Sequence, residues 1–179
     1  MTRRAILLDR DGVLIRLIPG GYVLRPEAFH WLPGALAALR AAARAGWVCA
    51  VVTNQACIGR GLVSVEAIRA IHERMVTEAA AAGGRISGVF VCPHTPEHGC
   101  DCRKPRPGLL LQAARSLQLD LGCSWLIGDS ATDIEAARAA GVRAVVVRTG
   151  MGEETLRRHP EWGAAEDVAA AVSLALAAP

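Results

Sequence analysis

Lysine is almost absent: Lys104 is the sole one in 179 residues, against nineteen arginines. Twenty basic side chains face seventeen acidic ones, a formal charge of +3. That excess is too small for a polycation that coats an anionic polymer. Aromatic residues make up 4% and follow no stacking pattern, which argues against a nucleic-acid-binding surface. The core must therefore be built from Ala, Val, Leu and Ile. Long apolar runs are missing as well. Val168 to Ala178 is about half of the ~20 residues a bilayer span needs. Ahead of Asp9 only Ala5 to Leu8 is apolar, too short for a secretory signal's core of about 7–15 residues. The expected setting is cytoplasmic, with no membrane and no nucleic acid as partner. In that setting the six cysteines read as metal ligands or free thiols before they read as disulfides.

What is present is 52% hydrophobic and 21% charged, a balance that excludes general disorder. One domain spanning 1–179 is expected, and at that size about two-thirds of the unfolded surface can be buried. Short apolar β-rich runs alternate with Ala-rich helical patterns. Strands are predicted at Ala5–Asp9, Trp47–Thr53, Val89–Cys92, Ser124–Gly128 and Val142–Arg148. The second is continuously apolar up to Thr53 and should be buried on both faces. A helix is predicted from Leu32 to about Ala45, with Pro33 in its first turn and Gly46 at its end. Others run from Ser64 to near Ala82 and from Gly108 to Leu117. Thr132-x-x-Glu135 has capping-box spacing and opens a helix ending at Gly141; Asp167 caps a last one. This β-α-β-α order predicts an α/β fold: a Rossmann-like parallel sheet with helices on both faces. No long heptad or amphipathic stripe demands a partner, so a monomer is expected.

Asp9 and Asp11 fall where the first strand ends. Residues i and i+2 of an extended chain point the same way, so two carboxylates enter one space beyond the sheet edge. Two acids that close should not both ionise freely; one can serve as ionised nucleophile and the other as proton donor. Thr53-Asn54-Gln55 ends the second strand. Lys104 follows the third after a loop, and Asp129 ends the fourth, with Asp133 one helical turn on. Ligands of open α/β sheets bind beyond the carboxyl ends of the strands, so these groups should converge. A hydroxyl, an ammonium and a carboxylate able to hold Mg²⁺ are what a transferring phosphoryl group needs.

Asp9-Arg10-Asp11-Gly12-Val13, Thr53-Asn54-Gln55, Arg103-Lys104-Pro105 and Gly128-Asp129 with Asp133 resemble the four motifs of the haloacid dehalogenase superfamily of phosphatases. The resemblance runs from about Ala5 to Gly150. Within the superfamily the chain is similar to the heptose-bisphosphate and histidinol-phosphate phosphatase family. The resemblance implies that Asp9 attacks phosphorus and forms an aspartyl-phosphate. It implies that Asp11 protonates the leaving sugar oxygen and then activates water. It gives Thr53 and Lys104 the phosphoryl oxygens. Mg²⁺ would be held by the Asp9 carboxylate, the Asp11 carbonyl and Asp129.

Cys92-x-His94 and Cys100-x-Cys102 lie within eleven residues. Three thiolates and an imidazole make a closed tetrahedral set, which fits a structural Zn²⁺. The same loop is a mark of the resembled family. His98 is a rival ligand; His94 is preferred because it completes the paired C-x-H and C-x-C pattern. The loop runs straight into Arg103-Lys104, so a bound zinc would fix where those cations point. Cys49 and Cys123 read as core thiols, and Cys57 reads as packing before function.

No separate cap domain fits between the motifs, so the fold expected is a haloacid dehalogenase fold with minimal cap and a zinc-binding loop. An open site bounded by short loops suits a small phosphorylated sugar. Gly21, Tyr22, Asn54, Gln55 and Ser130 are the expected substrate contacts. Arg60 and Arg103 are candidates for a second phosphate or for sugar hydroxyls, since the guanidinium fork matches phosphate oxygens. Arg60-Gly61, Pro105-Arg106-Pro107-Gly108 and Arg148-Thr149-Gly150 are similar to heptose-bisphosphate members; Leu14-Ile15 and the five-residue zinc spacer are similar to histidinol-phosphate members. The larger set implies removal of the C7 phosphate of D-glycero-D-manno-heptose 1,7-bisphosphate, in the making of nucleotide-activated heptose. A catalytically inactive, zinc-stabilised binding protein is the reading from another class; the intact set Asp9, Asp11, Thr53, Lys104 and Asp129 argues against it.

Overall fold

Alternating aliphatic side chains organise the sheet. Ile6 and Leu8 point into one apolar layer, Ala5 and Leu7 into the other, as the two-residue period of a strand requires. The computed structural model describes residues 2–178. Six strands form one sheet: β1 (Ala5–Leu8), β2 (Val48–Asn54), β3 (Val89–Cys92), β4 (Trp125–Gly128), β5 (Arg143–Val147) and β6 (Ala164–Ala165). Their order is β3-β2-β1-β4-β5-β6, and every neighbouring pair is parallel. Helices α1 (Ala35–Arg44), α3 (Val65–Ala81) and α7 (Val168–Ala177) cover one face. Helices α4 (Gly108–Leu117) and α5 (Ala131–Ala139) cover the other. Two shorter helices, α2 (Ala56–Gly59) and α6 (Gly152–Arg158), complete the set.

The register decides what meets at the carboxyl edge. Leu8 lies opposite Val51 on β2 and Ile127 on β4. The residues that follow each strand therefore emerge side by side. The strand order also reverses at β1, and a crevice opens at such a switch point. Residues 48–53 of β2 are all buried, as its unbroken apolar run predicts.

Helix ends match their chemistry with two exceptions. Ser64 accepts the Ala67 N–H at 3.1 Å, and Asp167 accepts that of Ala170 at 2.8 Å. Pro33 does not sit in the first turn of α1; Gly34, at φ +80°, is the N-cap and the helix begins after it. The capping box of α5 is Ser130 with Asp133, not Thr132 with Glu135. The sheet delivers the chain to Asp129, so the turn into the helix comes two residues earlier than the spacing suggests. Cys49 is buried, but Cys123 is exposed rather than a core thiol; it lies in the turn before β4, where its N–H reaches Asp120 Oδ1 at 3.3 Å. Helices α2 and α6 and strand β6 are too short to leave a periodic signal.

Candidate active site

Five groups from four separate elements meet at the switch point. Asp9 and Asp11 follow β1, Thr53 lies on β2, Lys104 follows the loop after β3, and Asp129 follows β4. All five line a cavity of about 190 Å³, together with Leu17, Gly21, Tyr22, Asn54, Ser130, Thr132 and Met151. Gly12 is needed here for two reasons. Its φ is +83°, and a Cβ would stand 2.0 Å from Asp129 Oδ2. Gly150 presses on the same oxygen from the other side, where a Cβ would stand 2.1 Å away. The Asp129 carboxylate is thus cradled by two bare backbones, and its Oδ2 accepts the Met151 N–H at 2.8 Å.

Lys104 is 2% exposed. Its Nζ lies 2.6 Å from Asp133 Oδ1 and 3.0 Å from Asp9 Oδ1, and it donates to the Val52 carbonyl at 2.8 Å. Burial works against its charge, yet Asp133 and Asp9 outweigh burial and raise its pKa. The Asn54 side chain fixes the lysine backbone from both sides: Nδ2 donates to the Lys104 carbonyl at 3.0 Å, and Oδ1 accepts the Lys104 N–H at 3.1 Å. Asp133 is fully buried. Its Oδ2 accepts from the Ser130 N–H at 3.1 Å and hydroxyl at 2.6 Å, so both its oxygens are engaged.

Asp9, Asp129 and Asp133 bring carboxylate oxygens within 4.8 Å of one another. Burial, against the pull of Lys104, raises Asp9 to about 6. Burial, then Asp9 and Asp133, raises Asp129 to about 8. At Asp9 burial, rather than repulsion by Asp11, is the largest cause of the rise. Asp9 Oδ1, though close to Lys104, is buried without a well-directed hydrogen bond. Such a cluster of crowded, costly anions fits a hard divalent cation such as Mg²⁺, which takes oxygen ligands.

Asp11 is held differently. Arg10, fully buried, donates to its two oxygens from Nε at 3.0 Å and Nη2 at 3.1 Å. Gln55 donates to it from Nε2 at 2.9 Å, and the same amide nitrogen reaches Thr53 Oγ1 at 2.9 Å. Gln55, expected among the substrate contacts, is fully buried and braces these two side chains instead. Cys57 is buried too, its thiol 3.6 Å from Gln55 Oε1.

The remaining expected residues divide. Gly21 and Tyr22 line both this cavity and an adjoining hollow of about 480 Å³. Arg60 borders that hollow with Gly20 and Gly150. Arg103 does not line the cavity; it borders a neighbouring depression with Pro96, Cys100, Arg106 and Lys104, the last shared with the cavity. Its Nη1 is turned back to the His94 carbonyl at 3.2 Å. The sequence reading did not single out Arg10, Met151 or Thr149, whose hydroxyl donates to the Gly12 carbonyl at 2.6 Å.

Cys92, His94, Cys100 and Cys102 gather their donor atoms within 4.8 Å. Sulfur–sulfur distances are 3.2–3.6 Å, and His94 Nδ1 stands 3.7 and 3.4 Å from Cys92 and Cys102. Four such donors around one zinc at about 2.0–2.3 Å would stand about 3.5–3.8 Å apart. The set is therefore of the size and chemistry for Zn²⁺. His98 stands apart from this set, with Nδ1 2.8 Å from Thr95 Oγ1.

A parallel sheet with buried carboxylates and one buried lysine at its switch point defines a phosphatase of the haloacid dehalogenase type. A family model described as HAD-hydrolase-like matches residues 101–174. The chain is 41% identical over 177 residues to the D-glycero-beta-D-manno-heptose-1,7-bisphosphate 7-phosphatase of Pseudomonas aeruginosa, covering 98% of this chain and 99% of that one. It is 41% identical to the Pseudomonas putida enzyme of the same name, covering 87% and 88%. The crystal structure of D,D-heptose 1,7-bisphosphate phosphatase from B. bronchiseptica, complexed with magnesium and phosphate, superposes with a TM-score of 0.91 at 38% identity, covering 97% of this chain and 98% of that one. This chain belongs to the D-glycero-D-manno-heptose-1,7-bisphosphate 7-phosphatase family.

Proposed function

We propose that the chain removes the C7 phosphate of D-glycero-beta-D-manno-heptose 1,7-bisphosphate. The observation that carries this reading is the convergence of Asp9, Asp11, Thr53, Lys104 and Asp129 on one small cavity. The β-anomer is chosen because the relatives at 41% identity bear that name.

In the first half-reaction an Asp9 oxygen donates an electron pair to phosphorus. The bond from phosphorus to the sugar oxygen breaks, and that oxygen takes a proton from the Asp11 carboxyl. In the second, water attacks phosphorus and passes a proton to the Asp11 carboxylate. The bond to Asp9 breaks and phosphate leaves. Lys104 and the Thr53 hydroxyl neutralise and orient the phosphoryl oxygens. Asp133 does not reach the substrate; it holds Lys104 and caps α5. Mg²⁺, held by the Asp9 carboxylate, the Asp11 carbonyl and Asp129, supplies charge neutralisation at the transferring group. Gly21, Tyr22, Asn54 and Ser130 shape the cavity wall, and Arg60 takes the far end of the substrate. Cys92, His94, Cys100 and Cys102 hold a structural Zn²⁺ whose loop positions Lys104.

The chain works as a monomer, a single domain of residues 1–179. Among the described residues no helix is long and apolar enough to cross a membrane, and the reduced thiols suit a cytoplasmic setting. The test compares kcat/KM on both heptose-bisphosphate anomers and on histidinol phosphate. Highest turnover of the β-anomer is expected; a preference for histidinol phosphate overturns the substrate assignment.

A further inference from the structure

Arg10 is the largest fully buried side chain of the protein. The chain has nineteen arginines, most of them with guanidinium groups free to reach water. Burying such a group is costly unless each donor is met. Here three side chains meet it. Asp11 takes Nε and Nη2 in a fork, at 3.0 and 3.1 Å. Gln55 Oε1 takes Nη2 at 3.0 Å. His72, on α3, stands with Nε2 2.9 Å from Nη1. An arginine only donates, so Nε2 must be the accepting, unprotonated nitrogen. His72 therefore caps the far end of the guanidinium as a neutral acceptor.

We propose that Arg10 is a positioning residue for proton transfer: anchored by His72 and Gln55, it holds the Asp11 carboxyl group in the orientation that delivers a proton to the leaving oxygen. This rests on the role given to Asp11 above. The fork matters because a carboxyl group turns easily about its last bond. Two parallel N–H donors on one side fix its plane, which a single ammonium cannot do. Helix α3 is part of the device, since His72 is sixty-two residues away in sequence.

A merely structural Arg10 would weaken every reaction alike. In kcat/KM, which ends at departure of the sugar or phenol, a positioning Arg10 matters only where the leaving oxygen needs a proton; the later hydrolysis, in which Asp11 serves every substrate alike, does not enter it. An alkyl sugar oxygen does; the phenolate of p-nitrophenyl phosphate does not. The experiment measures kcat/KM for heptose bisphosphate and for p-nitrophenyl phosphate, with Mg²⁺ present and thermal melting recorded for each variant. Arg10→Lys is expected to lower the sugar-phosphate value about 10²-fold and the aryl value less than about 3-fold. His72→Leu, which cannot accept from Nη1, should give a selective loss of about tenfold, and His72→Gln, which can accept, should restore the wild-type ratio. Asp11→Asn is the reference. If Asp11→Asn lowers both substrates equally, the proton-donor role of Asp11 fails and the proposal with it. If Asp11→Asn is selective while Arg10→Lys and His72→Leu lower both substrates equally, the positioning role alone is overturned. Should Arg10→Lys not fold, the two His72 variants decide in the same way.

Discussion

Two clusters in this protein have donor sets suited to a cation, and they are held together by opposite means. The carboxylates Asp9, Asp129 and Asp133 are locked by the protein itself. Lys104 ties Asp9 to Asp133, Gly12 and Gly150 press on Asp129, and Met151 donates to it. The sulfur cluster has its donors facing one another at 3.2–3.7 Å. Burial, then the neighbouring thiols, pushes Cys102 up to about 12, while at Cys100 burial is outweighed by hydrogen bonds from Cys102 and the Arg103 backbone, which lower it to about 7, so without a cation the set does not carry three thiolates. The carboxylate site is preorganised, whereas the thiol site is one that a cation would complete. The two meet at Lys104, two residues after Cys102.

The sharpest break of the carboxylate cluster is Asp9→Asn. It removes the proposed nucleophile and should lower kcat by at least about 10⁴-fold, while thermal melting stays close to wild type. Activity at the wild-type rate with Mg²⁺ present would remove Asp9 from the mechanism. Lys104→Arg comes next. The buried pocket offers two carboxylates and one carbonyl to a compact ammonium, and a planar fork places its charge elsewhere. A fall in kcat of about 10²-fold is expected, although the chain uses Arg almost everywhere else. A near wild-type Lys104→Arg enzyme would show the lone lysine to be accidental.

Stripping the zinc tests the other half of the comparison. In Mg²⁺-supplied protein, chelation should lower activity about tenfold, as losing an outer support does, and lower Tm together with it. His94→Ala should reproduce the effect, whereas His98→Ala, which breaks the contact with Thr95 and the ring contact with His94 but removes no donor from the set, should not. Full activity after verified zinc removal would leave the thiol loop without a role in placing Lys104.

Residues at strand ends were legible in the sequence because topology alone brings them to one edge. Asp9, Thr53 and Asp129 needed only strand order and direction; Lys104, beyond the loop that follows β3, needed its Arg103-Lys104-Pro105 motif as well. The sulfur cluster was legible from residue type and spacing. What lay out of reach was where long side chains turn. Arg10 sits between two aspartates that drew all the attention, and nothing local marks it as buried. Its partner His72 lies in the middle of an ordinary amphipathic helix. Arg103 follows the zinc loop at the right place to reach substrate, yet it turns back to the His94 carbonyl. Gln55 reads as a substrate contact just past β2, but its amide nitrogen is used up by Asp11 and Thr53. These are outcomes of packing between elements remote in sequence, which strand order does not determine.

His72 offers the smallest and cleanest test, because it belongs to neither cluster yet reaches the active site through Arg10. Burial first, and Arg10 second, lower its pKa to about 3. The unfolded chain, with an ordinary value near 6.5, therefore binds one more proton than the folded chain between those limits. Stability from this group is full above pH 6.5 and is lost as pH falls toward 3, about 2 kcal/mol between pH 7 and pH 5. The buried acids act the other way in cation-free protein. Asp9 and Asp129, raised to about 6 and 8, hold protons in the folded state that the unfolded chain releases, so they favour folding as pH falls. The total pH profile mixes both signs, but the difference between wild type and His72→Gln isolates the histidine. The wild type should lose about 4–8 °C of Tm relative to His72→Gln between pH 7 and pH 5. Parallel melting profiles for the two proteins would mean that His72 is not held neutral against Arg10.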